Sequence, residues 1–106
     1  MGLFDDLNGQ HVLVRSDQSG VHLGVLVDSE GSTVRLKDSR RLWQWKVANN
    51  GGISLSEVSI LGIDQSASRI NVAVPEVIVF GVCELIPATG LCVPTIMGAE
   101  IAQPEK

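Results

Sequence analysis

Val21-His22-Leu23-Gly24-Val25-Leu26-Val27-Asp28 is the stretch on which the fold turns. Val21, Leu23, Val25 and Val27 fall on one side of an extended chain, with His22, Gly24, Leu26 and Asp28 on the other. That period-two alternation marks a strand with one firmly apolar face. Upstream, His11-Val12-Leu13-Val14-Arg15 is a β-branched run closed by the turn-prone Ser16-Asp17-Gln18-Ser19-Gly20. Downstream, Ser29-Glu30-Gly31-Ser32 supplies another turn, and Thr33-Val34-Arg35-Leu36-Lys37 alternates again. Three extended runs joined by short turns predict an antiparallel meander.

Beyond the meander, Asp38-Ser39-Arg40 reads as a tight polar corner, and Arg41 to Val47 as a fourth strand with Trp43, Trp45 and Val47 on one face. Ala48-Asn49-Asn50-Gly51-Gly52 breaks the pattern. Ser54-x-x-Glu57 is a capping-box signature, with Val58 and Leu61 following at helical spacing, so a short helix is expected over Leu55 to Leu61. Arg69 to Pro87 reads as two more strands or one long bent one, Pro75 lying at an edge or break and Val77 to Ile86 forming the central strand. Leu91 to Ile101 is apolar but holds Pro94 and Gly98, which predicts an extended arm packed on a neighbouring subunit. The expected fold class is mainly β, a small antiparallel barrel or curled sheet with one short α-helix. It occupies a single domain, 1–106, divided into an N-terminal segment (1–8), a β core (9–87) and an extended C-terminal arm (88–106).

A chain of 106 residues has room for one modest core, yet 44% of its residues are apolar. A small domain has too little interior to hide that much apolar surface, so a homo-oligomer is expected. Met1 to Leu7 lacks the basic and apolar runs of a signal peptide, and Asp6 stands where a myristoylation motif needs a small hydroxyl residue. The longest apolar run, Val77 to Ile86, contains Glu84 and is about half the roughly 20 residues of a membrane-crossing helix, so no membrane association is expected. Cys83 and Cys92 fit neither a disulfide framework nor a zinc motif, which predicts reduced, partly buried thiols. His11 and His22 have no partner at metal-ligand spacing, so no metal and no cofactor are expected. No catalytic motif is present; His22 with Asp17 or Asp28 is a poor base, and Cys83 beside Glu84 a poor nucleophile. The chain therefore reads as a binding protein and not as an enzyme.

The charge distribution indicates where binding would occur. Between Thr33 and Val47 stand five cations, Arg35, Lys37, Arg40, Arg41 and Lys46, against one acid, Asp38, a local net of +4 in a chain of net −4. Both tryptophans lie in the same segment. Guanidinium groups offer paired donors matched to phosphate oxygens, and an indole offers a face on which a base stacks for roughly 1–3 kcal/mol. A Trp pair on a strand face also suits a core, and cations opposite it suit a solvated surface. A long nucleic acid is not the expected partner, because the whole chain is acidic, with a pI of about 4.9, and the basic patch is small. A compact nucleotide fits better. Arg40 and Arg41 are expected to hold its phosphates and Trp43 or Trp45 to stack its base, with Arg15, Lys46 and Asn49 completing the pocket.

Val14-Arg15, Gly20-Val21-His22-Leu23-Gly24, Arg40 to Trp45 and Cys83-Glu84-Leu85-Ile86-Pro87 together resemble a family of small proteins encoded by tailed bacteriophages. The chain departs from that pattern at Asn50-Gly51-Gly52 and in its apolar segment after Pro87. The resemblance implies expression in the cytoplasm of a bacterial host. Small oligomeric β-rich phage proteins include sponges for nucleotide immune messengers, and that context combined with Arg40-Arg41-Leu42-Trp43-Gln44-Trp45 makes a sponge, which binds the messenger without cleaving it, the leading expectation. The alternative is a structural or interaction protein, a virion component or an inhibitor of a host protein, with no small-molecule ligand.

Overall fold

The alternating stretch forms strand β2 (Gly20–Glu30), between β1 (His11–Ser16) and β3 (Thr33–Gln44), in a computed structural model that describes residues 5–48 and 54–102. Three further strands follow, β4 (Arg69–Ile70), β5 (Val74–Val79) and β6 (Val82–Pro87). All pair antiparallel in one sheet of order β4-β3-β2-β1-β6, with β5 on the other half of β3. The two outer strands β5 and β6 are joined through only Phe80 and Gly81. The sheet is therefore strongly curled, yet it does not close.

β3 is one strand bent in the middle, where the sequence suggests two strands and a corner. Opposite β2, Leu23 pairs with Arg40 and Val25 with Lys37, so β3 carries an extra residue, and Asp38 takes a positive φ of 50° there. A bulge of this kind exchanges the two faces of a strand. Before it, Val34 and Leu36 enter one core with Val12, Val14, Leu26 and Val79. After it, Leu42 enters the other with Leu13, Val21 and Leu23. Gly24 makes the bend possible, since a Cβ there would lie 3.0 Å from Leu36 Cβ and 3.1 Å from Ser39 Cβ.

The second core is covered by helices. α1 (Leu55–Leu61) spans the expected residues, and Ser54 Oγ accepts from the Ser56 N–H at its start. Val58 of α1 and Ile63 beyond it are buried with Cys92 and Ile96 of α2 (Cys92–Met97). The expected extended arm is thus corrected: Cys92 and Ile96 of this segment enter the chain's own core, and a helical turn starting just before Pro94 tolerates a ring that lacks an N–H. Val77 to Ile86 is likewise no central strand, because Gly81 at φ +65° divides it between β5 and β6 at the margins of the sheet. Among the described residues, no helix is long and apolar enough to cross a membrane.

Candidate functional site

Arg40 and Arg41 leave the bulge toward opposite faces of the sheet, and that separates their roles. Arg40 is 4% exposed on the side of Leu42. Its Nε donates to the Asn71 carbonyl at 2.8 Å, and its Nη1 to the carbonyls of Ile96 at 2.9 Å, Met97 at 3.3 Å and Ala99 at 2.6 Å. Burial lowers the pKa of its guanidinium from the ordinary arginine value. The expectation that Arg40 holds phosphate is corrected on this geometry: its donors are spent on the orphan carbonyls at the end of α2 and on the end of β4.

Arg41 is exposed, and its guanidinium lies across Gly20, where an added Cβ would come within 3.2 Å of Nη2. Opposite it on β2 stands His22, 7% exposed with Nδ1 unpartnered. Burial, and then the charge of Arg41, push the His22 pKa down to about 4. Arg15 belongs to the other face of the sheet, in register with Val21 and Leu42, and it pairs with Glu84 at 3.6 Å. It does not join Arg41.

The two tryptophans also part. Trp43 is 64% exposed, and the guanidinium carbon of Arg69 sits 4.8 Å from its ring centroid. Trp45 is half-buried against the helix-covered core. Trp45 and Val47 belong to the same core while Trp43 does not, because the register shifts between Leu42 and Gln44 and β3 ends there. Asn49 lies outside the described residues.

Arg69 connects the indole to a cleft of ≈ 700 Å³. One wall carries Gln65, Ser66, Ser68 and Arg69; the segment 98–102, with Glu100, forms the other. The first wall is shaped by a 3-10 turn (Gln65–Ala67) capped by Asp64, whose carboxylate accepts the Ser66 hydroxyl at 2.6 Å. That bond, with the backbone N–H of Ser66 and the charge of Lys46 behind it, outweighs desolvation and holds the Asp64 pKa below its ordinary value. Lys46 reaches this wall through its backbone, its N–H donating to Ser68 Oγ at 3.1 Å and its carbonyl accepting from Asp64 at 2.8 Å. Arg40 ties the two walls together from beneath, through Asn71 on one side and Ala99 on the other. The site so assembled offers a stacking face, the Arg69 cation, the Glu100 carboxylate and a row of hydroxyl and amide groups.

Of the residues expected to bind, the structure places Trp43 and Lys46 near this cleft, with Arg40 as its support. Sequence reasoning missed Arg69, Gln65, Ser66, Ser68 and Glu100. The only signal was the polar run Asp64-Gln65-Ser66 followed by Ser68-Arg69, which reads as an ordinary loop until the fold brings it beside Trp43. Among the described residues, no group of three His, Cys, Asp or Glu side chains is placed to hold a metal ion.

By architecture, this is a small, mainly β protein built on one curled, unclosed antiparallel sheet with a helical cover. Residues 9–96 match the family described as Domain of unknown function (DUF6948), and the chain belongs to that family. No curated protein and no solved structure matches the chain. The matched span includes Arg40, Trp43 and Arg69, while Glu100 lies beyond it.

Proposed function

We propose that this protein binds a small nucleotide-type anion and holds it uncleaved, the base stacking at Trp43 and the sugar and phosphate lying in the cleft beside Arg69. The exposed Trp43 indole carrying the Arg69 guanidinium at 4.8 Å supports this reading most directly. An indole braced by a cation keeps its orientation and remains open to a planar ligand. The neighbouring cleft, at ≈ 700 Å³, is within the roughly 300–1,000 Å³ of small-molecule sites. Ser66, Ser68 and Gln65 supply uncharged hydrogen-bonding groups, and Arg69 the charge. The resemblance to bacteriophage proteins narrows the ligand to an immune second messenger that the protein sequesters in the host cytoplasm as a homo-oligomer.

The test uses a Trp45→Phe protein, so that Trp43 is the only indole, titrated with cyclic di- and trinucleotides and with cyclic ADP-ribose isomers. A saturable fluorescence change with one of them, abolished in Arg69→Ala and followed by recovery of intact ligand, is the expected result. A flat response across the panel, in protein free of retained nucleotide, sinks the proposal. A second reading, an interaction protein with no small ligand, is favoured by the exposed Ile60, Leu61 and Leu91 on the helical side.

A further inference from the structure

A second concave surface lies away from Trp43, where the turn between β2 and β3 meets the end of β5. The groove measures ≈ 280 Å³; Val34, Ile78 and Phe80 form its apolar part, and Asp28, Glu30 and Arg35 its charged rim. Phe80 is 59% and Ile78 42% exposed, a high cost in exposed apolar surface for two adjacent positions of one face. The rim is not neutral. Arg35, its one cation, pairs with Glu76 at 3.9 Å, while no ion pair occupies Asp28 or Glu30 among the described residues. Among the described residues, the Asp28 carboxylate accepts only the neighbouring Ser29 N–H, at 2.8 Å.

From this we infer that the groove takes a basic segment of a partner protein, an apolar side chain seated on Phe80 and Ile78 and flanking lysines or arginines facing Asp28 and Glu30. Size and charge both select that occupant. The groove is smaller than the roughly 300–1,000 Å³ of small-molecule sites and suits one or two side chains. Two unpaired carboxylates around an aromatic ring repel anions and attract cations, which also gain from the ring face. The backbone supports the same geometry. Among the described residues β5 is bonded to β3 along one edge only, so a segment laid beside β5 extends the sheet and places alternate side chains over the face that carries Ile78. This surface is independent of the proposed nucleotide site.

The probe is a blocked, dye-labelled peptide, Lys-Arg-Phe-Leu-Arg-Lys, titrated into the full chain at low salt, with an acidic analogue in which glutamate replaces each basic residue. Saturable binding of the basic peptide alone is expected, weakened about tenfold or more by either Glu30→Lys or Phe80→Ser and unchanged by Trp43→Ala. Both altered side chains are exposed, so circular dichroism and thermal unfolding of these two variants should match the parent protein. No saturable binding up to millimolar peptide, or binding that ignores Glu30→Lys and Phe80→Ser, overturns the inference. So does a dimer of the parent protein that both substitutions convert to monomer, for the groove is then an interface between copies of this chain.

Discussion

Arg40 shows how one side chain can organise two segments. Its guanidinium donates to carbonyls at the ends of α2 and β4, with no carboxylate partner among the described residues, and its burial makes each of those bonds costly to lose. Arg40→Met leaves buried carbonyls without donors and is expected to cost about 3–5 kcal/mol, read as a lowered denaturant midpoint. Arg40→Lys recovers only part of this, since an ammonium cannot span acceptors spread across two segments. His22 offers a titration experiment. The fold lowers its pKa from 6.5 to about 4, so its neutral form is the one the native state favours. Stability is then complete above about pH 6.5 and declines as the pH falls from 6.5 toward 4, by up to about 3 kcal/mol. Chemical denaturation of His22→Gln between pH 7 and pH 4 should show a flatter decline than the parent; parallel curves would remove His22 as the cause.

At the scale of the element, the bulge in β3 carries the architecture. Asp38 sits at φ 50°, a region that costs an ordinary residue about 1 kcal/mol and glycine almost nothing. Asp38→Gly is therefore expected to be neutral or slightly stabilising, and Asp38→Val destabilising by about 1–2 kcal/mol, in thermal unfolding. A Cβ added at Gly24, which faces the bulge, would lie 3.0–3.2 Å from Leu36 Cβ, Ser39 Cβ and the Lys37 carbonyl oxygen, and backbone cannot yield as a flexible side-chain tip can. Gly24→Ala should cost about 1–3 kcal/mol, as overpacking does. Helix α1 is legible in the chain alone, because Ser54, Glu57, Val58 and Leu61 report capping and periodicity locally. α2 is not. Pro94 and Gly98 look like helix breakers by rank, but in a six-residue helix the proline falls in the first turn and the glycine just past the end, where neither disturbs a hydrogen bond.

At the scale of the whole molecule, the two cores are unequal in their dependence on chain order. The core of Val12, Val14, Leu26, Val34, Leu36 and Val79 is assembled within the sheet, whereas the other needs Cys92 and Ile96 from the C-terminal segment. Burial pushes the Cys92 thiol up to about 12, so it behaves as an apolar side chain. A chain ending at Pro87 is expected to lose cooperative unfolding and bind a hydrophobic dye, since Leu13, Val21, Leu23 and Leu42 lose their cover. Retention of a sharp transition would show that α2 is dispensable.

The amino-acid sequence by itself determined the strands of the meander and the capped helix, because period-two alternation, turn residues and capping are contacts between near neighbours in the chain. It also located a region rich in cations and tryptophan. Only the tertiary structure decided that Arg40 is an internal brace, that Trp43 and not Trp45 is exposed, and that Arg69 and the serines of segment 65–69 stand beside it. Those outcomes depend on the bulge at Asp38, which exchanges the faces of β3, on the register shift between Leu42 and Gln44, and on contacts between residues far apart in the chain, such as Trp43 with Arg69 and Arg40 with Ile96. Local patterning carries no record of such pairings, since the burial of a side chain is set by whatever distant segment comes to cover it.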